Sequence, residues 1–209
     1  MKSTTEQKAE KFWDRTAASY EKEEARDKGK LDFIIHKTKS YLHEDYKVLD
    51  YACATGVVAH AIAPSVAQVD AIDISSRMIA LAEESKASMP NINFRQANIF
   101  SQELKANTYD AVLAFYILHL LDKPEDVLSR IAQLLKPGGV LITATPCLAE
   151  KPILAYTFSL LGGVGLLPKI NAFHLNYLVN LFQTKHFQKL DQQKVAGSST
   201  EYFMVNRLS

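Results

Sequence analysis

The sequence predicts an α/β protein: a three-layer sandwich in which helices cover both faces of a seven-stranded, mostly parallel sheet whose last strand runs antiparallel. Three observations lead there. Short, nearly continuous apolar runs alternate with helical stretches from residue 48 to 144, as expected of parallel strands buried on both faces. The first of these runs passes directly into a turn of small residues, Ala52-Cys53-Ala54-Thr55-Gly56. The chain closes on two strand-like runs joined by a short loop, which must be antiparallel neighbours.

Each element has its own signal. Residues 5–20 carry Ala9, Phe12, Trp13 and Ala17 at helical spacing, ending at Ser19-Tyr20. Residues 21–30 are almost wholly charged and begin either an exposed helix or a mobile segment, and helical periodicity returns over 31–42. Strand one is 48–51, followed by a helix over 57–63 that Pro64 stops. Strand two, 68–72, ends at Asp73. Ser75 or Ser76 can cap a helix over 77–88, with Pro90 beyond its end. Strands three and four are 92–96 and 109–115. A short helical turn at 117–121 precedes a helix over 124–135 with proline in its first turn. Lys136-Pro137-Gly138-Gly139 turns into strand five, 140–144. Residues 149–161 and 173–183 read as helices, and 187–195 and 202–207 as the terminal strands.

Composition narrows the class. With 209 residues, 47% hydrophobic and 22% charged, the chain can bury a full core as one domain. A net charge of +1 implies no electrostatic pull towards nucleic acid or anionic membrane. Two isolated cysteines, Cys53 and Cys147, make neither a disulfide framework nor a metal site. The polar N-terminus lacks a signal-peptide core, and the apolar run 152–168 is too short to span a bilayer. A cytoplasmic protein without a membrane span or metal is expected.

The turn at 50–56 is the natural ligand site. Small residues let a ligand approach the backbone, and free N–H groups at the new helix start attract electron-rich atoms. Ligands of open α/β sheets sit beyond the carboxyl ends of the strands. The same turn also suits tight helix–sheet packing alone.

In order along the chain, Asp50-Tyr51-Ala52-Cys53-Ala54-Thr55-Gly56, Ala71-Ile72-Asp73-Ile74-Ser75, Gln96-Ala97-Asn98-Ile99, the strand from Tyr109 to Phe115 and Leu135-Lys136-Pro137-Gly138-Gly139 resemble the five motifs of the class I S-adenosylmethionine (SAM)-dependent methyltransferases. Phe12-Trp13-Asp14 with Ala18-Ser19-Tyr20 is similar to the N-terminal lid helix of their small-molecule branch, the UbiE-like (type 11) methyltransferases. The resemblance implies a Rossmann-like fold, a helical lid over 1–45, a SAM-binding domain over 46–209, and a helical insert over 148–184 covering the acceptor site. It implies SAM as cofactor and S-adenosylhomocysteine as product. The implied cofactor residues are Asp50, Tyr51, Ala52, Ala54, Gly56, Asp73, Ile74, Met78, Asn98, Ile99 and Phe115.

The chemistry of several positions stands without the family. Asp73 can accept two hydrogen bonds from a ribose diol, or cap the following helix. Asn98 can read an adenine edge while Ile99 packs on the ring, or it is a turn residue. Met78 and Ile74 can flank the other face, although Met78 also suits the core. Asp50 can orient the loop or meet a cationic amino group, and Phe115 is expected beside the methionine moiety. His119 is the candidate general base, with a structural role as the alternative. Tyr20, Tyr116, His174 and Tyr177 are the candidate acceptor residues. Tyr156, Phe158, Leu160, Leu161, Leu166, Leu167, Phe173 and Tyr177 make the insert apolar, suiting either an acceptor pocket or a dimer contact.

The reading is methyl transfer to a small, mostly apolar molecule by a monomer or homodimer, with nucleic acid excluded as acceptor. A nicotinamide-dependent oxidoreductase lacks its G-x-G-x-x-G spacing here. The alternative is a catalytically weakened protein of the same fold, binding SAM or its product. It rests on Ala52, Ala54 and Asn98, which replace the family's two glycines and aspartate.

Overall fold

The computed structural model describes residues 4–84, 89–163 and 169–209, without the side chains of 21–25, 154, 158–159 and 161–163. The described chain forms two compact units, Met1–Leu104 and Lys105–Ser209.

In the first unit, α1 spans Thr4–Arg26 as one continuous helix, six residues beyond the expected end at Tyr20. Residues 21–26, Glu-Lys-Glu-Glu-Ala-Arg, are strong helix formers, so charge alone does not end the helix. α2 (Lys28–Lys39) buries Ile34 and Thr38. Strands β1 (Lys47–Tyr51), β2 (Gln68–Asp73) and β3 (Ile92–Gln96) are parallel, with Val48 opposite Val69 and Val69 opposite Ile92. β1 and β2 are buried along nearly their whole length, which accounts for their unbroken apolar character. α3 is Val57–Ile62, passing at Pro64 into one tighter turn, Ala63–Ser65. α4 is Ser76–Glu84, and the expected continuation over 85–88 lies outside the described residues. Ser75, one of the two expected caps, is the cap: the Met78 N–H donates to its Oγ at 3.1 Å.

In the second unit, β4 (Tyr109–Phe115) pairs parallel with β5 (Leu135–Pro146). β5 begins five residues before the expected start at Val140. Tyr109 faces Leu135 and Ala111 faces Val140, so residues 136–139 bulge from the ladder instead of preceding it. Lys136 Nζ holds both carboxylate oxygens of Asp110, at 2.7 and 2.8 Å, and pins the bulge. α5 (Pro124–Leu134) starts on its proline. α6 (Pro152–Gly163) starts on Pro152, not near Ala149, because a proline fits only the first turn; a separate tight turn occupies Leu148–Glu150. α7 (Leu175–Thr184) leads to β6 (Phe187–Lys194) and β7 (Glu201–Leu208), antiparallel as expected. Charged Lys189, Asp191 and Lys194 mark β6 as a protected sheet edge.

The sheet is seven-stranded, in the order β3-β2-β1-β4-β5-β7-β6, with β7 inserted antiparallel between β5 and β6. No helix among the described residues is long and apolar enough to cross a membrane.

Candidate functional site

Two carboxylates close the ends of β1 and β2 in the first unit. Asp73 is 8% exposed. Its Oδ2 accepts the Ala54 N–H at 3.1 Å and its Oδ1 accepts the Ser75 N–H at 2.8 Å. One side chain therefore ties the turn after β1 to the turn after β2, and each oxygen keeps a lone pair for a further donor. Burial raises its pKa against the opposing pull of those backbone N–H groups, with Asp14 adding to the rise.

Asp50 is 2% exposed, and its Oδ2 has no hydrogen-bond partner among the described residues. Burial, reinforced by the charge of Asp73, pushes its pKa up to about 7. A third strand carboxylate shows how the protein treats a structural acid. Asp70, equally buried in β2, faces Lys47 at 3.3 Å and Arg95 at 3.8 Å and accepts hydrogen bonds from Gln68 and Asn93. Neither Asp50 nor Asp73 has an ion pair among the described residues. A buried carboxylate without a counter-charge is costly, which sets these two acids apart from Asp70.

Between the two acids the backbone is left-handed at three positions: Ala52 (φ 61°), Ala54 (φ 48°) and Gly56 (φ 80°). Ala52 and Ala54 are half-buried while Cys53, Thr55 and Gly56 are buried, so the two alanines form the open side of the turn. Gly56 serves packing: a Cβ there would stand 2.8 Å from the Phe94 ring and 3.0 Å from Ala82. α3 has only six residues, so few peptide dipoles add at its start. L-residues in this backbone region are strained. Ala52→Gly and Ala54→Gly are each expected to stabilise the fold by about 1 kcal/mol, read as a higher urea midpoint at unchanged slope.

α1 lies along this site through an acidic edge the sequence reading left without a role. Glu6, Glu10 and Asp14 stand four residues apart, on one helix face. Glu6 Oε1 accepts from Asn98 Nδ2 at 2.6 Å, and Glu10 Oε1 from Gln96 Nε2 at 2.9 Å. Asp14 Oδ1 accepts from Ser75 Oγ at 2.6 Å and from the Arg77 N–H at 3.2 Å. The spacing was legible, but a charged face four residues apart is ordinarily solvated. Glu6 and Asp73 both contribute, after burial, to raising the Tyr51 pKa, so Glu6 acts electrostatically on the end of β1.

Among the other expected cofactor residues, Ile74 is half-buried, whereas Met78 and Ile99 are each 1% exposed. Met78 is thus a core residue of α4 here, its alternative reading. Phe115 ends β4, half-buried, in the second unit.

His119 sits in the tight turn Leu118–Leu120, 8% exposed, with Nδ1 unpartnered among the described residues. Burial lowers its pKa to about 4, so it is neutral and weakly basic at pH 7. Its carbonyl accepts the Asn171 N–H at 2.7 Å, and Leu121 O accepts Asn171 Nδ2 at 2.5 Å. Those contacts hold the backbone of the turn that carries His119.

Of the four candidate acceptor residues, two come together. His174 and Tyr177 line a groove of about 470 Å³ in the second unit with Asp122, Glu125, Asn171 and Phe173. There Tyr177 stacks on Phe173 and its hydroxyl donates to Glu125 at 2.9 Å. Tyr116, left-handed at φ 53°, donates instead to Glu201 at 2.9 Å. Tyr20, in the first unit, meets Trp13 edge-on. In the insert, Tyr156 and Leu160 are exposed, Phe173 is buried, and Leu166, Leu167 and the side chains of Phe158 and Leu161 lie outside the described residues.

Antiparallel insertion of β7 separates this sheet from the parallel dinucleotide-binding arrangement, and it is the Rossmann-like form of the class I SAM-dependent methyltransferases. The chain belongs to the methyltransferase domain family, which matches residues 42–165, more than half its length. It is 32% identical over 120 residues to a malonyl-[acyl-carrier protein] O-methyltransferase of Halalkalibacterium halodurans, covering 55% of this chain and 44% of that protein. A ubiquinone biosynthesis O-methyltransferase of Rickettsia canadensis is 29% identical over 120 residues, covering 56% and 50%. The chain spans about half the length of the curated relatives it matches. The Haloferax volcanii methyltransferase solved with its Trm112 activator superposes with a TM-score of 0.74 at 15% identity, covering 94% of this chain and 97% of that one. The PH0226 protein of Pyrococcus horikoshii gives 0.70 at 20% identity, covering 89% and 92%. At such identities the likeness concerns the fold.

Proposed function

We propose that this protein transfers the methyl group of SAM to a small, mostly apolar acceptor. The observation that carries the reading is Asp50: a buried carboxylate with an unpartnered oxygen, beside a small-residue turn and a second carboxylate. The residues fit SAM, which offers a cationic amino group for Asp50 and a ribose diol for Asp73. Asp50 does not suit a dinucleotide, whose pyrophosphate would lie at the turn beside its carboxylate. Bound SAM supplies a methyl group already activated on a sulfonium. The chain's contribution is then to orient that group, exclude water and hold an acceptor in line.

Two relatives named for O-methylation favour an oxygen nucleophile. His119 stays outside the chemistry in this reading. The second reading, a SAM- or product-binding module without turnover, draws on the strained Ala52 and Ala54; product formation in the presence of SAM separates the two.

Calorimetry with SAM and S-adenosylhomocysteine tests the proposal, and no heat from either sinks it. Asp50 adds a pH signature. Near pH 7 it is about half protonated in the free protein, and a cationic partner favours the carboxylate. Binding is expected to release protons near pH 7, seen in buffers of different ionisation enthalpy, and affinity is expected to climb from pH 6 to 8. The stability of the free protein runs the other way. The folded pKa of about 7 lies above the ordinary 3.8, so the stability contributed by protonated Asp50 is complete below about pH 4 and lost as pH rises through 7. Asp50→Asn should remove both trends and weaken binding by about 1.5–3 kcal/mol.

A further inference from the structure

Asn98 stands where the adenine of the proposed cofactor is to be read, and its own hydrogen bonds determine what it can offer. Its Oδ1 accepts the Phe100 N–H at 2.8 Å, inside its own loop, and its Nδ2 donates to Glu6 at 2.6 Å. Both partners are unambiguous, because a backbone N–H only donates and a side-chain carboxylate accepts, so the amide orientation is determined. Towards α1, Asn98 therefore presents a donor. The reading edge of adenine needs both kinds of partner: a donor for N1 and an acceptor for the exocyclic amino group. An aspartate at position 98 would supply the acceptor itself. Here the carboxylate nearest to that amide belongs to α1.

We propose that Glu6 is the adenine-specificity residue of this site, its carboxylate accepting from the exocyclic amino group while the Asn98 amide donates to N1. This rests on the SAM reading above. The placement is held from two further points: Glu10 on Gln96, and Asp14 on Ser75 and the Arg77 N–H, fasten the same face of α1 to the ends of β2 and β3 and the start of α4.

The pairing has a sharp consequence. Hypoxanthine carries a carbonyl in place of the amino group and a proton on N1, so it sets acceptor against Glu6 and donor against Asn98. A site built on paired hydrogen bonds rejects such an analogue strongly.

The test is calorimetric affinity for S-adenosylhomocysteine and its deaminated form, S-inosylhomocysteine, on the wild-type chain, Glu6→Ala and Glu6→Gln. Alanine is the better helix former, so α1 is retained. The wild type should prefer the adenosyl ligand at least tenfold. Glu6→Ala should lose most of that preference, and Glu6→Gln, which keeps an acceptor oxygen at the same reach, should retain more of it than Glu6→Ala. An unchanged preference in Glu6→Ala overturns the proposal. So does equal tightening of both ligands, which would make Glu6 a competitor for Asn98. A Glu6→Gln variant as indifferent as Glu6→Ala overturns it as well, since an acceptor at position 6 would then not read the amino group. Absence of any S-adenosylhomocysteine binding to the wild type overturns the cofactor reading itself, and this proposal with it.

Discussion

Asp73→Ala is expected to weaken S-adenosylhomocysteine binding by about 1.5–3 kcal/mol, a loss of roughly 10- to 150-fold. The carboxylate has two roles. Its remaining lone pairs are proposed to accept from the ribose diol, while its occupied ones hold Ala54 and Ser75 in place. Alanine removes both and leaves two backbone N–H groups without their acceptor, which adds a stability loss of about 1–3 kcal/mol for each that stays dry. Asp73→Asn keeps one of the two backbone contacts, so its stability loss should be smaller than that of Asp73→Ala, while its NH2 sets a donor where the other N–H and the diol need an acceptor. Titration calorimetry on each variant, with urea unfolding alongside, reads the two quantities independently. A folded Asp73→Ala protein with unchanged affinity would remove Asp73 from the site.

Gly56→Ala is expected to destabilise the fold by about 2–5 kcal/mol. Left-handed backbone costs an L-residue about 1–2 kcal/mol, and overpacking a closed contact costs about 1–3 kcal/mol more. Both apply, because φ is 80° and the new methyl would lie 2.8 Å from two Phe94 ring carbons. Gly138 and Gly197 provide the comparison. Both are left-handed, yet a Cβ at either meets nothing within 4 Å, so alanine there should cost only the backbone strain. Urea midpoints give the contrast directly. Phe94→Leu in the Gly56→Ala background should recover the steric part and leave the strain; equal losses at all three glycines would show that contact with Phe94 is not the reason for Gly56.

The order and kind of the elements were legible because they depend on local periodicity. β3 and β4 run over the expected residues, and the terminal hairpin pairs as expected. Departures fall where a local rule is outweighed. α1 passes through a run of charge because those residues favour helix, and β5 absorbs a turn because Lys136 can reach Asp110. In the candidate site, Asp50, Asp73 and Asn98 were legible from their places at strand ends. The low basicity of His119 was not, because it depends on burial.

By itself the sequence determined the alternating α/β order, the antiparallel close and the small-residue turn with its two flanking acids, all of them features of residues near one another in the chain. Only the tertiary structure decided which acids are satisfied. Asp50 and Asp70 look alike in the sequence, each an aspartate inside an apolar strand. The fold gives Asp70 two cations and leaves Asp50 a buried oxygen without a partner. It also brings Glu6 to Asn98 across 92 residues and Asp14 to Ser75 across 61. Burial and distant partnership set the free energy of a charge, and neither exists until the chain has folded.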